Sequence, residues 1–386
     1  MKKVLLGALA AVALVACSKD DVVEVNRVND QITYGAVVNS ATRAANVYCN
    51  NYKPGSFKVS AVYDDKFYFT DETVTYNNST SAWESGSVHY WPNSGVVTFY
   101  AHVNGDTEYT HTNATDAPQF VNFTVAEATE DQVDLLYAVQ KQSKSESAVA
   151  LNFRHALSQV VFKAKNGNTN LYVEISSITL CNLAKTNTFT FTQEATDANI
   201  EDHTGGVVTD IAYNNTWGSW PNLTGGDVDF TVTLDSSVEI PYSSTGEAVN
   251  LTDVADGPNS KAMMMLPQST TKWDAVSKLS ETTQSYALVN CCIYNIADPS
   301  IGLQGTDVAL WGTRALHQQV AVPMPFIWQQ GKKYIYTLVF GMGVGGGGYE
   351  PDPDDPTPDP VLVPISYDVT VDDFVVIDGG EYDVNL

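Results

Sequence analysis

The chain has 386 residues, enough for a leader segment and about two domains. Lys and Arg total 20 against 45 Asp and Glu, a net charge of −25, and such a surface repels phosphate backbones and argues against a nucleic-acid partner. Val, Thr, Tyr and Phe dominate and no long 3.6-residue period appears beyond the N-terminus, so the body is predicted all-β.

Residues 1–16 read as a secretory signal: Lys2 and Lys3, then an apolar run from Val4 to Ala16. The run is too short to span a bilayer as a mature helix. It ends Leu14-Val15-Ala16-Cys17, which resembles a bacterial lipobox. Cleavage before Cys17 leaves an N-terminal cysteine for lipidation (palmitate among the acyl chains); the alternative is an ordinary signal with an incidental Cys17. Ser18-Lys19-Asp20-Asp21 resembles the export signals of Gram-negative lipoproteins displayed on the outer surface. Further on, Ile32, Tyr34, Ala36 and Val38 alternate with Thr33, Gly35, Val37 and Asn39 as a strand does. Small and polar residues around Arg43 then form a protease-accessible loop, or carry an ordinary surface Arg.

Short strands follow with turns between them. The first group includes Phe57/Val59/Ala61, Phe67/Phe69/Val74, Trp83 and Val96 to Ala101, with a polar loop at Asp106 to Asp116. Asp134-Leu135-Leu136-Tyr137-Ala138 is a short apolar run, and Leu151 to Ser158 leads into Val160 to Ala164. A domain boundary is expected near residue 150. The second group runs through Leu171 to Leu183, Phe189/Phe191, Phe230 to Leu234, Ala262 to Leu266, Tyr286 to Tyr294, Val320 to Val322 and Tyr334 to Phe340. Such spacing suggests two β-sandwiches with Greek-key-like connections. Gly345 to Gly348 then reads as a hinge, and the Pro/Asp run to Pro360 as a stiff, extended spacer. Beyond it Ile365, Tyr367, Val369 and Val371 alternate with Ser366, Asp368, Thr370 and Asp372, and Phe374 to Ile377 continues the apolar run. A strand held on a spacer leaves one face and its backbone ladder unsatisfied. It folds back on its own domain or fills a groove in another molecule.

The residues show no catalytic constellation. His89, His102, His111, His155, His203 and His317 sit in no HExxH and beside no nucleophile motif. Cys49, Cys181, Cys291 and Cys292 have no CxxC spacing, and the last two, as neighbours in a strand, point to opposite faces as packing residues. No metal site and no cofactor is expected, and the chain reads as non-enzymatic.

Several motifs follow one another in order: Tyr90-Trp91-Pro92 with Val97 to Ala101, Asp134 to Ala138, Phe153-Arg154-His155-Ala156-Leu157-Ser158 with Val161-Phe162-Lys163, Leu266-Pro267-Gln268, and Trp328 to Leu338. Together they resemble the fimbrillin family, the lipoprotein-derived subunits of type V pili in Gram-negative anaerobes. The resemblance implies two tandem transthyretin-like β-sandwich domains, at 44–150 and 151–343, a linker over 344–360 and a C-terminal donor strand over 361–386. It also implies a precursor lipidated at Cys17 and held in the outer membrane. An Arg-specific protease would cut between Arg43 and Ala44, removing 17–43 and opening a groove. The partners implied are other pilus subunits, whose C-terminal strand (here Ile365, Tyr367, Val369 and Val371) fills that groove. A chain that must donate a strand fits a stalk, whose polymer supports cell adhesion. The competing reading is a monomeric surface lipoprotein that binds a glycan or host ligand. A hydrolase is disfavoured for want of a convergent acid, base or nucleophile set.

Overall fold

A computed structural model of the chain describes residues 30–38, 55–103, 107–196, 217–252, 261–342 and 348–373. Among them the fold is all-β, with no α-helix and a 3-10 turn at Thr129–Asp131.

The first body comprises β1 (Tyr34–Val38), β2 (Ser56–Tyr63), β3 (Lys66–Asn77), β4 (Ala82–Ser85) and β5 (Val96–Val103). It continues through β6 (Glu108–Thr110), β7 (Gln119–Thr124), β8 (Leu136–Ser143) and β9 (Val149–His155). Alternation sets the faces. Phe57, Val59 and Ala61 of β2 and Phe99 of β5 are buried inside, with Phe153 of β9, while Tyr100 points the other way. Asp64 and Asp65 take φ of 51° and 56°, which suits the two-residue hairpin joining β2 to β3. The seven strands run β1-β4-β3-β2-β5-β8-β9 and close on themselves, because β1 pairs with β4 on one side and β9 on the other.

The second body comprises β10 (Ser158–Asn166), β11 (Leu171–Leu183), β12 (Thr186–Thr190), β13 (Val228–Glu239), β14 (Val249–Asn250) and β15 (Met263–Met265). After these come β16 (Tyr286–Asn295), β17 (Val308–Trp311), β18 (Gln318–Pro323), β19 (Lys332–Phe340) and β20 (Ile365–Asp373). One five-stranded sheet has the order β14-β10-β19-β20 with β15 also on β10; the other has β13-β11-β16-β17 with β18 also on β16. Both sheets bury side chains in one cluster, Phe162, Tyr336 and Leu338 from the first and Val173, Ile178 and Val289 from the second. A small sheet, β12-β7-β6, links the halves, and the same cluster takes in Tyr100, Phe120 and Tyr137 of the first body.

The motif residues around Phe153 and Trp328 build this junction. Asp134 and His155 form a buried pair at 2.8 Å. The Gly331 N–H donates to the Leu157 carbonyl (2.8 Å), and Ser158 Oγ–H to the Gln329 carbonyl (2.8 Å). Trp220 Nε1–H donates to the Ala156 carbonyl (2.6 Å), and the Arg154 guanidinium lies 4.2 Å from the centre of the Trp217 ring.

Three expectations change. The first body is a closed barrel and not a two-sheet sandwich, because the leader strand closes the gap between β4 and β9. Its last strand runs through residue 150 to His155, and the second body opens at Ser158, so the turn between them is Ala156-Leu157. The Pro/Asp segment, where described, is no extended spacer. Tyr349 bridges both Ala321 and Pro360, the Val361 N–H donates to the Gly348 carbonyl (2.8 Å), and the Ser280 N–H donates to the Pro353 carbonyl (3.1 Å). Tyr349 packs edge-on to Trp273 at 5.7 Å, and Pro358 is buried. A Cβ on Gly348 would meet Val361 at 2.8 Å and Val320 at 2.9 Å, so here glycine serves a close approach.

Candidate functional site

The leader enters the barrel through three contacts ahead of β1. The Trp91 N–H donates to the Asp30 carbonyl (2.7 Å), the Ile32 N–H to the His89 carbonyl (2.8 Å), and the Lys144 ammonium sits 2.6 Å from the Asp30 carboxylate. The strand then runs parallel to β9 from Tyr34↔Val149 to Val38↔Phe153. On its other side it meets β4 at a single position, Tyr34↔Trp83.

Ile32 and Tyr34 are buried in the barrel core with Phe57, Phe99, Leu151 and Phe153, and Ala36 packs at its margin. The Tyr34 ring stands edge-on to Phe57 (6.2 Å) and Phe99 (6.4 Å). Its hydroxyl is buried without a hydrogen-bond partner, as is Trp91 Nε1. Burial, with the charge of Glu72 adding, pushes the Tyr34 phenol well above its ordinary range. Burying Ile32 and Tyr34 is worth ~1.5–3 kcal/mol each, and the orphan hydroxyl takes back ~1–3 kcal/mol. The strand therefore closes the barrel but fits it imperfectly.

The C-terminal strand lies on its own chain. β20 pairs antiparallel with β19 over nine positions, from Phe340↔Ile365 to Lys332↔Asp373, and among the described residues β19 is its only ladder partner. Ile365 is fully buried, while Tyr367, Val369 and Val371 are half-buried against the same core. Tyr367 lies 6.4 Å from Tyr336 ring to ring, and Asp368 reaches the Lys165 ammonium at 3.1 Å. In this structure the strand thus folds back in cis, the first of the two placements open to it.

Cys17, Arg43 and Ala44 lie outside the described residues, as do Cys49, residues 344–347 and Phe374 onward. The structure therefore gathers Ile365, Tyr367, Val369 and Val371 on one face and places none of the processing residues. It adds Ile32 and Tyr34, whose alternation was visible but whose position inside a barrel was not. Cys181, Cys291 and Cys292 are buried free thiols, with Cys291 in the main core and Cys292 on the opposite face.

The fimbrillin-like family pattern matches residues 29–348, from the leader strand to Gly348. No curated protein sequence matches the chain. Among solved structures, a fimbrial protein from Bacteroides vulgatus superposes with a TM-score of 0.50 at 14% identity, covering 90% of this chain and 100% of that one. A candidate cell adhesion protein from Bacteroides ovatus superposes at 0.42 and 12% identity, covering 90% and 99%. The family match spans most of the sequence and both bodies, and the chain belongs to the fimbrillin-like family.

Proposed function

We propose that the chain is a stalk-type subunit of a surface pilus that supports cell adhesion and polymerises by strand exchange. It is made as a lipoprotein on Cys17 and held at the outer membrane. An Arg-specific protease cuts between Arg43 and Ala44, and the C-terminal segment of a neighbouring subunit takes the place of the leader. Family membership and the likeness to a fimbrial fold support the broad reading.

One observation carries the finer one. The leader reads Ile32-Thr-Tyr34-Gly-Ala36-Val-Val38, and the C-terminal strand reads Ile365-Ser-Tyr367-Asp-Val369-Thr-Val371. The same Ile-x-Tyr frame stands on the buried face of each strand. Ile365 can therefore follow Ile32, and Tyr367 follow Tyr34, without a change of register. At Gly35, where Asp368 would fall, an added Cβ meets Ala148 only at an ordinary 3.8 Å.

The physics of the trigger is simple. Arg43 lies just beyond β1, so a cut there turns a tethered strand into a separate peptide and removes the high local concentration that kept it seated. β20 gives up nine ladder positions on β19 and, in the register of β1, takes five on β9 and one on β4. The ladder therefore does not favour exchange; filling the vacated barrel core with Ile365 and Tyr367 does. A head-to-tail contact of this kind does not close and propagates.

The test compares cut protein with and without residues 361–386 by electron microscopy and by size-exclusion chromatography. Filaments are expected only from the complete chain. A complete, cut chain that stays monomeric at high concentration, or a truncated one that polymerises as well, overturns the reading. The double variant Ile365→Asp/Tyr367→Asp should abolish filaments as the truncation does.

A further inference from the structure

We infer that Glu174, Cys292 and His317 form a binding site for a zinc-like divalent metal on the outer face of the second body. The strand pairing builds it. β11 and β16 run antiparallel with Glu174 directly opposite Cys292, so their side chains share a face. The neighbours Val173, Ile175, Cys291 and Ile293 point the other way into the core. His317 immediately precedes β18, whose Gln318 pairs with Cys291, and so it arrives beside Cys292. One ligand atom from each residue falls within 4.8 Å of the others.

Two features point to an ion. First, the His317 side chain is only 7% exposed, and its Nε2 has no hydrogen-bond partner. A buried nitrogen left so is destabilising. That nitrogen faces Glu174 Oε1 at 3.7 Å, too far for a hydrogen bond. It is close to the ~3.4 Å edge between two ligands of one tetrahedral zinc, given Zn–N and Zn–O bonds near 2 Å. Second, the other oxygen of the same carboxylate is already held. Glu174 Oε2 accepts from Arg314 Nε–H (3.1 Å) and from the Tyr172 hydroxyl. Those bonds fix the carboxylate and leave Oε1 aimed at the histidine, the part outer-shell groups play in metal sites.

The donor set selects the metal. A thiolate, an imidazole and a carboxylate together suit zinc and not calcium or magnesium, which take oxygen ligands. Three protein ligands leave a fourth position for water. On binding, the Cys292 Sγ–H bond breaks, the proton passes to solvent, and an Sγ–metal bond forms; the neutral imidazole binds through Nε2. Arg314, on an exposed turn closed by the Thr313 and Leu316 backbone, reaches Glu174 Oε2 from the rim of the site. A bound metal would tie that turn to the sheet, independently of any strand exchange.

The experiment titrates tag-free, full-length protein with Co²⁺ and follows the near-ultraviolet thiolate-to-cobalt charge-transfer band. One equivalent is expected to bind and to be displaced by Zn²⁺. Cys292→Ser should lose the band, and His317→Gln should weaken binding at least about tenfold. Absence of the band, or its persistence in Cys292→Ser, overturns the site. Should Cys292→Ser fail to fold by circular dichroism, native Co²⁺ affinity in folded His317→Gln overturns it equally.

Discussion

The leader strand and the C-terminal strand share an Ile-x-Tyr frame, yet the fold holds them in opposite ways. β1 sits between two neighbours but has an extended ladder with only one, the parallel β9, and touches β4 at Tyr34↔Trp83 alone. It also buries a hydroxyl with no partner. Among the described residues β20 sits at an edge with one neighbour but pairs along its full length, antiparallel, and its Ile365 is fully buried. Antiparallel pairing is also slightly the stronger per residue. The comparison separates two properties that are often conflated: where a strand lies in a sheet, and how well it is bound there. The central strand is the weakly fitted one, and its covalent tether matters most. The edge strand is well fitted but has one whole side still to satisfy.

The largest expected effect sets the two strands against each other directly. Hydrogen exchange on protein cut at Arg43, with the leader peptide washed away and residues 361–386 deleted, should show protection lost from β9 and β4. Two buried side chains at ~1.5–3 kcal/mol each correspond to a loss on the order of a hundredfold or more. Deleting 361–386 from uncut protein should instead expose β19 and spare β9. If both forms lost protection in the same strands, the two segments would not be independently held. Next in size, Ile32→Ala and Ile365→Ala should each cost ~2–5 kcal/mol in the uncut monomer, read by denaturant unfolding. In filaments the Ile365→Ala cost should move to the junction between subunits, seen as faster dissociation. No change in filament dissociation would mean that β20 keeps its cis place.

Much of this was legible along the chain, for local reasons. Phe57/Val59/Ala61 and Leu171 to Leu183 announce strands because alternation is a property of neighbours in sequence. The family resemblance, carried by Tyr90-Trp91-Pro92 and Phe153 to Ser158, is confirmed over residues 29–348. Barrel closure was not legible, since it depends on a parallel pairing of Tyr34 with Val149, more than a hundred residues away. The docking of the Pro/Asp segment was hidden as well. Its composition favours extension, but Tyr349 on Trp273 and the close approach at Gly348 override that preference. The Glu174, Cys292 and His317 group has no spacing signature at all, because β11, β16 and the residue ahead of β18 contribute one ligand each. The Ile-x-Tyr echo was present in the letters, and only the faces on which the two strands bury their side chains give it meaning.

A smaller effect comes from the orphan hydroxyl. Tyr34→Phe removes a buried, unpartnered polar atom and should stabilise uncut protein by up to ~1–3 kcal/mol, whereas Tyr367→Phe should change little. The Tyr34 phenol is raised in the folded state by burial. Its neutral form therefore contributes stability that is complete below the unfolded value, about pH 10, and is lost as pH rises above it. Tyr34→Phe should blunt the alkaline loss of the leader specifically, measured as release of a labelled leader peptide from cut protein against pH. An unchanged release profile would move the source of alkaline lability elsewhere in the barrel.

The smallest effect is the most discriminating for placement. Asp368 pairs with Lys165 at 3.1 Å, with side-chain exposures of 68% and 25%. So open a pair is worth under about 1 kcal/mol, and salt screens it. Asp368→Asn should therefore lower monomer stability by a few tenths of a kcal/mol at low salt and by nothing at high salt, read by chemical denaturation. In the filament the same residue would follow Gly35, away from Lys165, so the salt-dependent difference between Asp368→Asn and the parent should vanish there. Its survival in filaments would place β20 on β19 in both states, and the donor would then have to come from beyond Asp373.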